Sequence, residues 1–352
     1  MKTILVTGGA GFIGTNFIYH VFEKRPKWRI INLDALSYAG NAANARNLAS
    51  RDGQRYRFVH GRVQDGRLLD DLFANEKISG VFHFAAQTHV DRSIVDPWEF
   101  VDSNIVGTFR LLEACLKHWE SSGRPGGFRF VHVSTDEVYG SLGKEGLFTE
   151  TSRYAPSSPY SATKAGSDHL VKAYVRTYGF PAIVTNCSNN FGPYQFPEKL
   201  IPLMINNIVQ QRHLPVYGDG QNVRDWLFVL DHCEALVKVF EEGVPGESYN
   251  IGGGEEHENI EIVNMLCDLV DKRLGRSGTQ GSRRLIRFVT DRPGHDRRYA
   301  IDASKIAREL GWYPRHSFAS ALEKTVDWYL DNREWMIDAG RKVDNKGIRE
   351  DN

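Results

Sequence analysis

An apolar run of strand length, residues 3–7, breaks directly into Gly8-Gly9-Ala10-Gly11-Phe12-Ile13-Gly14, and an amphipathic stretch at 12–23 follows at once. Glycines at 8, 11 and 14 permit a tight turn with close backbone approach. The helix they open presents unpaired N–H groups at its start. Such a beginning commits the chain to a strand–turn–helix unit with an anion-binding corner. The next strand candidate, 29–33, ends at Asp34, 20 residues beyond Gly14. A carboxylate there accepts hydrogen bonds from an adenosine ribose and repels a 2′-phosphate, which favours NAD over NADP.

Further strand-length runs lie at 57–60, 80–84, 128–133 and 182–186, with amphipathic stretches at 65–75, 98–119 and 160–177 between them. The runs are continuous rather than alternating, as strands covered on both faces should be. The expected fold is therefore α/β, a Rossmann-type doubly wound parallel sheet. Beyond about residue 190 the rhythm changes. Pro193, Pro197, Pro202 and Pro215 punctuate the chain, then a strand-like 226–229 leads into a helix at 231–242. Residues 248–251 read as a last strand, and helices are expected at 259–273, 303–310 and 318–333. We expect one domain from 1–189 and 224–254, a smaller interleaved α/β domain from 190–223 and 255–340, and a frayed tail at 341–352.

Composition narrows the function. Among 352 residues, 44 Lys plus Arg balance 44 Asp plus Glu, which argues against a nucleic-acid binder. Cys115, Cys187, Cys233 and Cys267 are scattered without a CxxC pair, so a disulfide framework or metal site is not expected. No apolar run approaches the ~18 residues of a membrane span. The start reads as a first strand rather than a signal peptide, and a cytoplasmic location is expected.

Two clusters carry chemistry. Tyr160 and Lys164, spaced i, i+4, share a helix face, where an ammonium should favour the phenolate. The run 128–133 delivers Ser134, Thr135, Asp136 and Glu137 at a strand end, an unusual place for two carboxylates. On a regular strand they would point to opposite faces, so convergence on one ligand requires an irregular turn. Glycine turn, Asp34, hydroxyl pair and YxxxK together resemble the extended short-chain dehydrogenase/reductase superfamily. That resemblance implies a triad of Thr135 (or Ser134), Tyr160 and Lys164. Oxidation of a hexose at C4 acidifies the C5 hydrogen. A base there and an acid at the C6 hydroxyl would then expel water, a task suited to two close carboxylates.

Longer stretches sharpen the likeness: FAAQTHVDRSI at 84–94, STDEVYG at 134–140, SNNFGPYQFPEKLIP at 188–202, RDWLFVLDH at 224–232 and DRPGHDRRYAID at 291–302. They resemble the nucleotide-sugar 4,6-dehydratases, in particular those acting on dTDP-glucose. The resemblance implies Asp136 as acid, Glu137 as base and Tyr160 as oxidation base. For NAD it implies Gly8, Gly11, Phe12, Ile13, Gly14, Asp34, Asp65, Phe84, Ala85, Ala86, Ser103, Tyr160, Lys164 and Asn190. For the substrate it implies Thr88, Asn189, Lys199, Leu200, Pro215 and Tyr217, together with Arg224, Asn259, Arg292, His295 and Tyr299. No metal is implied, and a homodimer built on helices 98–119 and 160–177 is. Gln87 and Phe191 stand where many members carry Glu and Tyr. The implied reaction converts dTDP-glucose to dTDP-4-keto-6-deoxyglucose. The alternatives are the same chemistry on another nucleotide hexose, such as UDP-glucose, or a non-catalytic nucleotide-binding protein, which would need none of the Thr135–Lys164 set.

Overall fold

The computed structural model describes residues 1–291 and 295–344; Arg292 and the end of the expected tail lie outside the described residues. The strands are β1 (Lys2–Thr7), β2 (Trp28–Asp34), β3 (Tyr56–His60), β4 (Ile78–His83), β5 (Arg129–Thr135) and β6 (Ala182–Cys187). Then come β7 (Asn189–Phe191), β8 (Leu214–Tyr217), β9 (Val223–Phe228), β10 (Ser248–Ile251), β11 (Glu256–Glu258) and β12 (Ile286–Val289). Seven of them form one sheet in the order β10-β6-β5-β4-β1-β2-β3, with every pairing parallel. This is the doubly wound sheet expected from the sequence.

Continuous apolar strands follow from burial on both faces. Ile4 and Val6 point into one core with Phe17, Ile18 and Phe240, while Leu5 points into another with Leu111, Leu112 and Cys115. Each of these side chains is fully removed from water or nearly so. The helix Phe12–Lys24 covers the first face, and Gly107–Ser121 and Pro159–Tyr178 cover the second.

A second layer faces the carboxyl ends of the large sheet. It comprises a three-stranded sheet, β11-β9-β7, a two-stranded parallel pair, β12-β8, and a third core around Phe191, Met204, Leu266 and Phe318. Strand β9 pairs with β7 and β11 rather than with the large sheet, so the chain rejoins the main layer through the helix Val229–Glu242. The helix Leu200–Val209 was hidden by reading Pro202 as punctuation; proline is tolerated in a first helical turn. The expected helix 98–119 is three pieces, Trp98–Phe100, a π-helical Val101–Val106 and Gly107–Ser121. A last helix, Arg333–Asp344, runs past the expected domain end.

Candidate active site

Strand order reverses between β1 and β4, and there the carboxyl ends of the sheet open into a cavity of about 430 Å³. Gly8 adopts φ +75°, and a Cβ on it would stand 2.7 Å from the Ala85 nitrogen. On Gly14 a Cβ would meet the Gly8 carbonyl at 2.4 Å. The cradle therefore tolerates hydrogen alone at both positions. Gly11 caps the following helix without a side chain, and no acid occupies the first turn. Its free N–H groups and dipole suit a pyrophosphate. Asp34 flanks the cavity at the end of β2, accepting from Ala10 N at 2.9 Å and Leu36 N at 2.7 Å. These features fit a dinucleotide.

Phe84, Ala85, Ala86, Gln87 and Thr88 form the wall after β4. Asn104 pins this loop, accepting from Gln87 N at 2.8 Å and donating to Gln87 O at 3.1 Å. It sits in the π-helical turn, which also brings Ser103 to the cavity. Such insertions frequently mark functional sites.

At the end of β5 a 3-10 turn, Asp136–Tyr139, provides the irregularity that the paired carboxylates require. Thr135 caps it: its Oγ1 accepts from Glu137 N at 3.3 Å and donates to Asp136 Oδ1 at 3.2 Å. Thr135, Asp136 and Glu137 all line the cavity. Asp136 is 1% exposed, and its Oδ2 has no hydrogen-bond partner among the described residues. Burial, reinforced by the charges of Glu137 and Asp225, raises its carboxyl well above the ordinary range, which favours the protonated form.

Tyr160 and Lys164 project from the helix Pro159–Tyr178 into the same cavity. The Lys164 ammonium donates to the Val133 carbonyl at 3.0 Å. Here the structure corrects the sequence reading. Burial first, then the Glu137 charge, pushes the Tyr160 phenol well above its usual value, while a Thr135 hydrogen bond pulls the other way. Lys164 alone does not make the phenolate.

The remaining expected residues divide. Phe12, Ile13, Asn189, Asn190 and Lys199 line the cavity. Asp65 does not; its carboxylate caps the helix Gly66–Asn75 by accepting from Leu68 N at 3.1 Å, leaving Gly61–Gln64 on the wall. Leu200 opens its helix next to Lys199, and Asn259 opens Asn259–Leu274. Pro215 and Tyr217 lie on β8, and the Tyr217 ring meets His295 edge-on at 6.3 Å. His295 Nδ1 is 2.6 Å from Asp291 Oδ1. Arg224 on β9 stacks 4.4 Å over the Tyr299 ring, and its guanidinium donates to the Asp296 carbonyl at 2.9 Å. Leu200, Asn259, Pro215, Tyr217, His295, Arg224 and Tyr299 do not line the cavity, although the Arg224 charge reaches the Asp136 carboxyl and the Glu137 charge reaches the Tyr299 phenol. Arg292 lies outside the described residues.

Sequence reasoning passed over Glu198. It lines the cavity with its Oε2 3.2 Å from His89 Nε2, and burial lifts its carboxyl to about 7. An acid after a loop proline carries no periodic signal; only its place within the 188–202 stretch could have marked it.

Fold and cavity together define a dinucleotide-using enzyme of the extended short-chain dehydrogenase/reductase class. Residues 5–325 match the family model described as GDP-mannose 4,6 dehydratase. The chain is 54% identical over 339 residues to the dTDP-glucose 4,6-dehydratase of Xanthomonas campestris pv. campestris (strain B100), covering 96% of this chain and 95% of that one. It is 55% identical over 340 residues to the Neisseria meningitidis serogroup B dTDP-glucose 4,6-dehydratase, covering 95% of each. The crystal structure of DesIV, the dTDP-glucose 4,6-dehydratase of Streptomyces venezuelae with NAD and TYD bound, is similar with a TM-score of 0.86. That likeness comes at 46% identity, over 96% of this chain and 100% of that one. The chain belongs to the dTDP-glucose 4,6-dehydratase family, within the broader family that the model describes.

Proposed function

We propose that the chain is an NAD-dependent hydro-lyase that converts dTDP-glucose to dTDP-4-keto-6-deoxyglucose and water. The observation that carries this is the turn after β5. There Asp136, a buried carboxyl shifted upward, lies beside Glu137 in the cavity lined by Tyr160, Lys164 and the glycine cradle. Bound NAD would supply a hydride acceptor at C4 and a donor at C6, with Gly8, Gly11, Gly14, Asp34, Ala85 and Asn190 in place to hold it. Thr135 binds the C4 oxygen, and Tyr160 takes its proton as a phenolate, which the positive charge of bound NAD would favour together with Lys164. The Lys164 ammonium lies behind Tyr160 and stabilises negative charge in the site. Glu137 removes the C5 proton, and Asp136 donates its proton to the departing C6 hydroxyl, so that water leaves. Proton removal and donation come from different groups because their surroundings differ.

The second layer, with Arg224, His295 and Tyr299, takes the nucleotide diphosphate. We also place the protein in the cytoplasm as a homodimer. Its free cysteines are buried, which suits a reducing compartment, and Phe109 and Tyr178 remain exposed on the long helices, at 37% and 44%. Purified protein with NAD is incubated with dTDP-, UDP- and GDP-hexoses, and products are identified by mass and NMR. Loss of water from dTDP-glucose is expected. No loss from any substrate sinks the dehydratase reading; faster turnover of UDP-glucose sinks only the base assignment.

A further inference from the structure

Tyr160 and Lys164 are two members of a longer stripe. The next position at the same helical spacing is Asp168, an acid that is 0% exposed. Its Oδ2 accepts from the Ser134 hydroxyl at 2.9 Å, the Tyr154 hydroxyl at 2.9 Å and the Asn186 amide at 3.3 Å. Its Oδ1 lies 3.2 Å from His132 Nε2. Ser134 immediately precedes Thr135, and Asn186 also donates to the Thr135 carbonyl at 3.1 Å. The reaction as described above uses none of these contacts. An ionised carboxylate is costly to bury, so its retention here needs a reason.

The neighbouring charges supply one. From its own helix, Asp168 faces Lys164 and Lys172; from β5, His132; from the preceding loop, Tyr154 and Tyr139. Behind these, His83 on β4 and Cys187 on β6 sense the Lys164 charge. Burial keeps His132 neutral, at about 4, so it brings no counter-charge. Lys172 is turned to the Tyr154 hydroxyl at 3.1 Å. Lys164 is buried and, among the described residues, has a neutral carbonyl, that of Val133, as its one hydrogen-bond acceptor.

We propose that Asp168 is a positioning residue for the oxidation pair. Its buried carboxylate is the counter-charge that keeps Lys164 an ammonium, and through Ser134 and Asn186 it fixes the strand end that presents Thr135. The directions agree. Burial lowers Lys164 while Asp168 raises it, and His132 first, then the Lys164 charge and the Ser134 hydroxyl, outweigh the desolvation of Asp168 and hold its carboxyl below the ordinary range.

The kinetic part of the test rests on the proposed role of Lys164. Without the Asp168 charge, Lys164 loses its proton at lower pH. The alkaline limb of kcat/KM for dTDP-glucose should therefore move acidward in Asp168→Asn, by at least about one pH unit, corresponding to tenfold in the Lys164 proton equilibrium. Tyr154→Phe and Lys172→Met should leave that limb in place. A uniform loss of rate at every pH, with the limb unmoved and additive losses in the unfolding cycle below, assigns Asp168 a merely structural role and overturns the proposal.

The stability part is independent of catalysis. Thermal unfolding of Lys164→Met, Asp168→Asn and the double variant forms a cycle. The double variant should recover part of the Tm lost in Asp168→Asn, whereas additive losses contradict the pairing. If Asp168→Asn does not fold, a folded double variant supports the proposal, and failure of both overturns it. A sound cycle with an unmoved limb would fault the assignment of Lys164 rather than the charge pair.

Discussion

Asp136 and Asp168 are both carboxylic acids removed from water, at 1% and 0% exposure, on either side of the end of β5. Their surroundings drive them in opposite directions. Asp136 has one weak donor, the Thr135 hydroxyl, and two like charges nearby, and it is raised. Asp168 is lowered, first by its contact with His132, then by the Lys164 ammonium and the Ser134 hydroxyl, and it also receives Tyr154 and Asn186. Burial alone therefore does not decide whether an acid in this fold is a proton donor or a fixed charge. The charges and donors around it do. One strand end thus holds one carboxyl shifted up and another shifted down.

The largest expected effect breaks the front half of this pair. Asp136→Asn should lower dehydration about 10²–10⁴-fold, the usual range for losing an acid–base group. C4 oxidation should persist, seen as transient reduced-nicotinamide absorbance on adding substrate. Loss of that absorbance as well would make Asp136 part of the oxidation machinery.

The rear half should respond in stability first. Asp168→Asn leaves a buried ammonium without its counter-charge, a change that typically costs about 3–5 kcal/mol. Denaturant unfolding measures it, and a loss under about 1 kcal/mol would show that Lys164 finds compensation elsewhere.

The two acids should also respond oppositely to pH. Asp136 has a folded pKa above its unfolded value, so the stability it contributes is complete below about pH 3.9 and is lost as pH rises. Asp136→Asn should accordingly gain Tm relative to the parent as pH is raised. Asp168, with its folded value depressed, contributes above about pH 3.9 and loses that contribution as acid protonates it. The Tm deficit of Asp168→Asn should therefore shrink in acid. Parallel Tm-against-pH curves for the two variants would erase the contrast. The smallest effect is that of Tyr154→Phe, which removes one of three donors to Asp168 Oδ2 and should cost about 1 kcal/mol without changing turnover.

Much of the front of the site was legible in the sequence because it is local. The glycine turn, Asp34 and the Tyr160–Lys164 spacing each lie within one element and its cap. Even the need for an irregular turn at Asp136-Glu137 followed from strand geometry, although its 3-10 form did not. The rear of the site was not legible. Asp168 sits at helical spacing from Lys164, but an acid on a helix ordinarily faces water. Its burial depends on groups 34, 14 and 18 residues away in sequence. The short pair β8 and β12 was missed for the same reason: parallel partners of four residues each, far apart in the chain, have neither length nor alternation to reveal them. Glu198 shares that fate, its raised carboxyl being a product of packing.

The division of labour at the end of β5 is tested most directly by Glu137→Gln with dTDP-glucose in deuterated water. The variant should bind NAD and substrate and reduce the cofactor transiently, while deuterium fails to enter at C5. Exchange at C5 at the parent rate would contradict the account and make another residue the base.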